Sequence, residues 1–211
     1  MNFNFFEYDT LEEELKQIPT QHQLAFAASI CERLIPNYKA FCQNLVEPWG
    51  NPSVPKEALD EVWQILAGKP LDPVLISQLR DECGQDDIFP DDLDFGDDCY
   101  EAQETLIAIR AILAACIEPD LQLIIEVAKH ARNIIEAYIP YKDENFKLTL
   151  EKDGEEKFYE SIANHPFAVR EIAKQTEDLQ RLKVIQTLDK FFLEWLRTSS
   201  ENCGKSLIDL A

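Results

Sequence analysis

The sequence predicts an all-α fold: a single-domain multi-helix bundle over residues 1–211, with a central apolar helix and a long C-terminal helix. Three observations predict it. Every strongly periodic segment repeats its apolar residues at spacings of three and four. Helix punctuation is mostly proline, with 11 prolines against 6 glycines. No Pro/Ser/Gly linker, low-complexity tract or fixed-period repeat separates the halves. At 211 residues, 45% apolar and 28% charged, the chain has the composition of a globular protein. A core of this size buries roughly 70% of the unfolded surface without disulfide or metal staples.

Taken in order, Thr10 with Glu13 has capping-box spacing for a short helix to about Ile18, and Thr20 with Gln23 opens the next. That second helix, QLAFAASICERLI, ends or kinks at Pro36. PNYKAFCQNLV continues as helix beyond it, and EPWGNPSVP breaks the chain. Ser53 is the expected cap of a helix through Ala67 that Gly68 stops; Asp72 and Pro73 open another that Gly84 closes. TLIAIRAILAACI, residues 105–117, holds one charge in thirteen positions, and a helix apolar all round belongs at the centre. Pro119 starts a helix with a one-sided stripe of Leu121, Ile124, Ala128, Ala131, Ile135 and Tyr138, and Pro140 ends it.

YKDENFKLTLEKDGEE lacks helical period. It reads as a surface connection in which KLTLEKDG has the alternation of a short strand or hairpin arm. From Pro166 to about Thr198, Ile172, Leu179, Leu182, Ile185, Leu188, Phe192 and Trp195 share one side, which predicts a helix of about 50 Å if it is continuous. The tail ENCGKSLIDLA either frays or docks back through Leu207, Ile208 and Leu210.

Charge is the most uneven property of the chain. The formal net charge is −20, and residues 81–104, DECGQDDIFPDDLDFGDDCYEAQE, concentrate the acids without one Lys or Arg. Such a field repels phosphate backbones and anionic membranes, so neither nucleic acid nor a membrane is an expected partner. Basic proteins, cationic ligands and divalent metals are what it attracts, and it also favours solubility. The acidic stretch is expected to be a solvated surface loop with Asp97 or Asp98 capping the central helix. An irregular divalent-cation site at Asp91, Asp94 and Asp97 is the weaker alternative.

Most local spacings exclude a known site rather than define one. With Gly96 at position six of an EF-hand loop, Leu93 and Phe95 fall where carboxylates are required. His22, His130 and His165 lie far apart in sequence, and no Glu-x-x-His motif of a di-metal bundle occurs. Gly204, Lys205 and Ser206 end like a phosphate-binding loop, yet Ser199 occupies its first glycine. No nucleophile elbow or dinucleotide fingerprint is present, and no cofactor is expected. The cysteines at 31, 42, 83, 99, 116 and 203 form no CxxC pair. MNFNFFEYDT resembles no secretory leader, and no apolar run reaches the length of a membrane span, so the reducing cytoplasm is the expected compartment.

Two arginines stand in apolar helical sequence. Arg110 interrupts the central helix, and Arg132 projects among Leu121, Ile125, Ala128 and Ile139. A buried guanidinium requires a partner, so a core ion pair with Glu32, Glu104 or another carboxylate is expected, and an anion-binding pocket is the alternative.

CERLIPNYKAFCQ, the acidic run into YEAQETLIAI, and NHPFAVREIAKQTEDL together resemble the bacterial domain-of-unknown-function family 416, over roughly Thr20 to Leu196. The most specific element is Glu32, Arg33, Pro36, Asn37, Tyr38 and Phe41. The resemblance implies an all-helical cytoplasmic protein and a link, suggested from gene neighbourhood, to two-component signalling. It carries over no activity and no catalytic residues. Physically, Pro36 bends the chain, Asn37 is placed to bond the freed backbone groups, and Tyr38 and Phe41 fill the bend. The leading expectation is a non-enzymatic interaction or regulatory protein with a protein partner, such as a signalling protein. The alternative is a helical enzyme or small-ligand binder with a pocket near Glu32, Arg33, Tyr38 and Arg110, and with Asn37 and Arg132 as further ligand-binding candidates. The sequence leaves oligomeric state open.

Overall fold

A computed structural model describes residues 7–142, 146, 154–200 and 205–209, apart from the side chains of Asp97 and Asp98. Among them every regular element is helical: α1 (Asp9–Leu15), α2 (Thr20–Asn44), α3 (Ser53–Leu66), α4 (Pro73–Glu82), the single turn α5 (Asp92–Phe95), a 3₁₀ turn (Gly96–Cys99), α6 (Tyr100–Ile117), α7 (Leu121–Lys142), α8 (Glu155–Ala163), α9 (Pro166–Val184) and α10 (Lys190–Thr198). One hydrophobic core joins them. The apolar helix α6 is central, packed against α2, α3, α4 and α7, while α2 also meets α7, α9 and α10. No helix among the described residues is long and apolar enough to cross a membrane.

Local chemistry explains most boundaries. Asp72 Oδ1 accepts from Val74 and Leu75 N–H at the start of α4, ahead of Pro73, whose missing N–H costs nothing at a first turn. Gly68 takes φ +100 after α3, a conformation that favours glycine. Other caps differ from expectation. Gln23 does not box Thr20; its Nε2 donates to the carbonyls of Leu15 and Ile18 and so closes α1. Thr10 lies inside α1 and donates to Glu7. At α3 the capping oxygen comes from Asn51, which accepts from Ser53 N–H at 3.0 Å.

Both internal prolines are absorbed. α2 runs through Pro36 to Asn44, and α7 passes Pro140 by two residues. In each case the ring removes one helical hydrogen bond while packing holds the rest in register.

The acidic run is only partly a loop, since it winds into α5 and the 3₁₀ turn. The N-cap of α6 falls on Cys99, which makes no side-chain cap bond. The expected helix from Pro166 to Thr198 is two helices. Ile185 turns extended at φ −78, ψ 135, and Asp189 restarts the chain by accepting from Phe192 N–H at 2.8 Å. The β-branched residues Val184, Ile185 and Thr187 weaken helix there, and Asp189 offers a competing cap. KLTL, residues 147–150, lies outside the described residues. The tail docks: Leu207 and Ile208 are buried, and Leu207 N–H donates to Arg33 O at 3.3 Å. Leu210 lies outside the described residues.

Candidate functional site

The residues singled out in the sequence do not converge on one pocket. Arg33, buried, grips Glu171 with two prongs, Nε to Oε2 at 2.7 Å and Nη2 to Oε1 at 2.8 Å. Its Nη1 donates to Ser29 O, Ser200 Oγ and, at 3.4 Å, Asp178. Ser29 and Lys174 complete the shell of Asp178. This network ties α2 to α9 and to the end of α10. Glu32 faces another way, taking Trp63 Nε1 at 2.7 Å and Arg197 Nε at 2.8 Å. Tyr38 donates its hydroxyl to Ile88 O at 2.7 Å. Gly50, at φ +74, lies so close that a Cβ there would come within 2.8 Å of that hydroxyl oxygen.

The two core arginines divide. Arg132 is 1% exposed and donates to Glu7 O at 3.0 Å and Gln175 Oε1 at 3.3 Å, with its guanidinium 4.5 Å from the Tyr8 ring centroid. Burial holds its pKa below the usual arginine value. Arg110 contradicts the expectation. It is exposed, and among the described residues it makes no ion pair with Glu32, Glu104 or any other carboxylate. It lies over Gly84, just past the C-terminus of α4, where a cation meets the negative end of the helix dipole.

Asn37 differs from these partnered side chains, although Glu61 Oε1 is also buried without a hydrogen bond among the described residues. Asn37 is 1% exposed, and among the described residues neither its Oδ1 nor its Nδ2 has a hydrogen-bond partner. The expected bond to backbone freed by Pro36 does not form. Asn37 instead lies in the wall of a cavity of about 490 Å³ between α2, α6 and α7. Asn37, Ala40 and Ala102 are the buried lining residues and form its floor; Phe41, Tyr100 and Tyr138 supply aromatic walls, and Tyr141 and Lys142 stand at the exposed rim. The room exists because positions 40 and 102 carry only methyl groups. Its volume falls within the range of small-ligand sites.

Polar groups continue from this cavity along the α6–α7 seam. Glu104, one turn from Tyr100, accepts from Asn133 Nδ2 at 3.1 Å and lies 2.8 Å from His130 Nδ1. The Tyr100 hydroxyl is pushed up to about 12, first by burial and then by Glu104, Glu136 and Glu101. The Glu104–His130 pair has the contact of a base with its orienting carboxylate, but among the described residues no hydroxyl or thiol hydrogen-bonds to His130. The carboxylate four residues before His130 in the sequence, Glu126, pairs with Lys129 instead.

The described cysteines are all free, and burial raises each thiol, to about 12 for Cys83, Cys99 and Cys116. Burial thus disfavours the thiolate form at each of them. Asp91 and Asp94 line a second, open cleft with Asp86, Asp92 and Gln103, but Asp91 is already engaged as the cap of α5 through Leu93 N–H. The Asp97 side chain lies outside the described residues, and among the described ones no cluster of three potential metal ligands occurs.

Fold and interior together define a class: a one-core helical bundle with an aromatic-walled cavity opening between its central helices. The family model described as "Protein of unknown function (DUF416)" matches residues 10–211, and the chain belongs to that family. Its relatives include the uncharacterized protein YjaG of Escherichia coli (strain K12), 24% identical over 200 residues and 93% of each chain. The YjaG protein of Salmonella typhimurium is also 24% identical, over 196 residues. The crystal structure of a DUF416 family protein from Shewanella baltica OS155 shares the fold, with a TM-score of 0.80, 22% identity and coverage of 95% of this chain and 97% of that one.

Proposed function

We propose that the chain acts by binding rather than by catalysis, as a regulatory protein that takes a small ligand in the cavity between α2, α6 and α7. The observation that carries this reading is the buried, unpaired carboxamide of Asn37 beside the cavity floor. An amide left without partners in the interior costs on the order of 1–3 kcal/mol. A ligand that reaches the floor recovers that cost after a small turn of the side chain.

Several features support binding over chemistry. Arg33, Glu32 and Tyr38 are held by structural contacts, the described thiols are kept protonated, and among the described residues no nucleophile is bonded to His130. The enzymatic reading rests on the Glu104–His130 contact, and it requires that His130→Gln abolish turnover of whatever the cavity holds. Free cysteines support the reducing cytoplasm as the compartment, and a net charge of −20 supports a partner protein with a basic docking face, such as a signalling protein, as the reader of the ligand state.

The test is a thermal-shift screen of small molecules against the wild type and Asn37→Leu. The reading predicts compounds that raise the wild-type Tm and leave the variant's unchanged. Compounds that stabilise both equally, or none that stabilise the wild type, contradict it.

A further inference from the structure

We infer that the α2/α6/α7 cavity is a receptor for an organic ammonium compound, an assignment that rests on reading this cavity as a ligand site. Three independent features of its wall point to that chemistry.

The first is the density of aromatic rings. Phe41, Tyr100, Tyr138 and Tyr141 all line the space. Aromatic faces carry negative quadrupole density and attract a desolvated cation. Two of these rings already do so, since Lys142 Nζ sits 5.5 Å from the Tyr138 centroid and 5.1 Å from that of Tyr141. Lys142 thus marks the rim as a place where positive charge is stabilised. It also makes the lysine a competitor for any cation that enters.

The second is the sign of the surrounding field. Glu101 lines the cavity, and Glu104 and Glu136 act on the same Tyr100 hydroxyl from behind the wall. Lys142 is the single basic residue of the lining among the described residues. Glu101 and Lys142 balance within the lining, and the excess of acid in nearby Glu104 and Glu136 and in the chain as a whole favours an ammonium ion over a carboxylate or phosphate ester.

The third is Asn37. It stands in the cavity wall, and its Oδ1 and Nδ2, buried and without a hydrogen-bond partner among the described residues, become an acceptor and a donor for a ligand once the side chain turns toward the space. The ligand that uses every feature has an ammonium head for the aromatic walls and Glu101, and a neutral hydrogen-bonding group, such as a hydroxyl or amide, that reaches Asn37.

Isothermal titration of the full chain with charge-matched isosteres tests the assignment. Choline is compared with its neutral carbon analogue 3,3-dimethylbutan-1-ol, and phenethylammonium with phenethyl alcohol. The charged member is expected to bind about tenfold more tightly or better in at least one pair, the size of a desolvated cation–π contact. Glu101→Gln should narrow that ratio, and Lys142→Met should widen it by removing the resident cation. Both are surface-facing substitutions, and unchanged thermal melts verify the fold.

Neutral members that match or exceed their charged partners in both pairs overturn the ammonium assignment. The cavity then still stands as a ligand site if Ala40→Leu, which fills the floor, abolishes their binding. Failure of all four compounds to bind also overturns the assignment, and the cavity reading falls with it only if the small-molecule screen is empty as well.

Discussion

Arg33 and Glu171 meet through two parallel N–H···O contacts, 2.7 and 2.8 Å long, that join α2 to α9 with both side chains at or below 5% exposure. Such a pair holds register rather than adding net stability, since desolvation offsets most of the attraction. Removing one partner is different. Arg33→Ala strips Glu171 of its buried cation, leaves Asp178 to Lys174 and Ser29, and should cost about 3–5 kcal/mol in urea or guanidinium melts. Arg33→Lys should recover only part, because an ammonium cannot reproduce the planar fork. An Arg33→Ala protein as stable as the wild type would show that the network is not structural.

Arg110 should behave in the opposite way. With the guanidinium exposed at the end of α4 and no carboxylate partner among the described residues, Arg110→Ala should cost less than about 1 kcal/mol. Denaturant midpoints measured beside those of Arg33→Ala provide the comparison. A loss as large as that of Arg33→Ala would require a buried partner that the fold does not show.

Glu136 gives stability a pH dependence of predictable sign. Half-burial raises its pKa above the ordinary 4.5. Between that value and the folded-state pKa, the native chain holds a proton that the unfolded chain has released. The stabilisation is therefore complete below pH 4.5 and is lost as pH rises through the folded pKa. Glu136→Gln should flatten stability across that window and be the more stable protein at pH 7. Parallel profiles for variant and wild type would contradict the assignment.

Much of the architecture was legible because it is local. Asp72 before Pro73, Gly68 after α3 and the apolar run of α6 each act within a few residues, and the structure bears them out. Arg110 was misread because the outward stripe of α6 is itself carpeted with apolar residues. Ile107, Ala111, Ala114 and Ile117 are only partly buried, so composition conceals the side that faces out. The break at 185–189 was hidden because Ile185 and Leu188 keep the helical spacing across it, although Asp189 stood in the sequence as a cap. The Glu104–His130 contact joins two helices 26 residues apart, and no local spacing announces it. Asn37 was noticed for its place beside Pro36, but the cavity arises from Ala40, Ala102, Tyr100 and Tyr138 coming together only in the packed bundle.

Asn37→Leu tests the central claim most directly, read by equilibrium denaturation and by titration with a compound that binds the wild type. The substitution replaces an unpaired buried amide with an apolar side chain next to open volume. It should leave the protein at least as stable, within about 0.5 kcal/mol or better, while abolishing binding. A variant that loses more than about 1 kcal/mol and binds as tightly as the wild type would mean that Asn37 serves the fold, and that the cavity between α2, α6 and α7 is not the site.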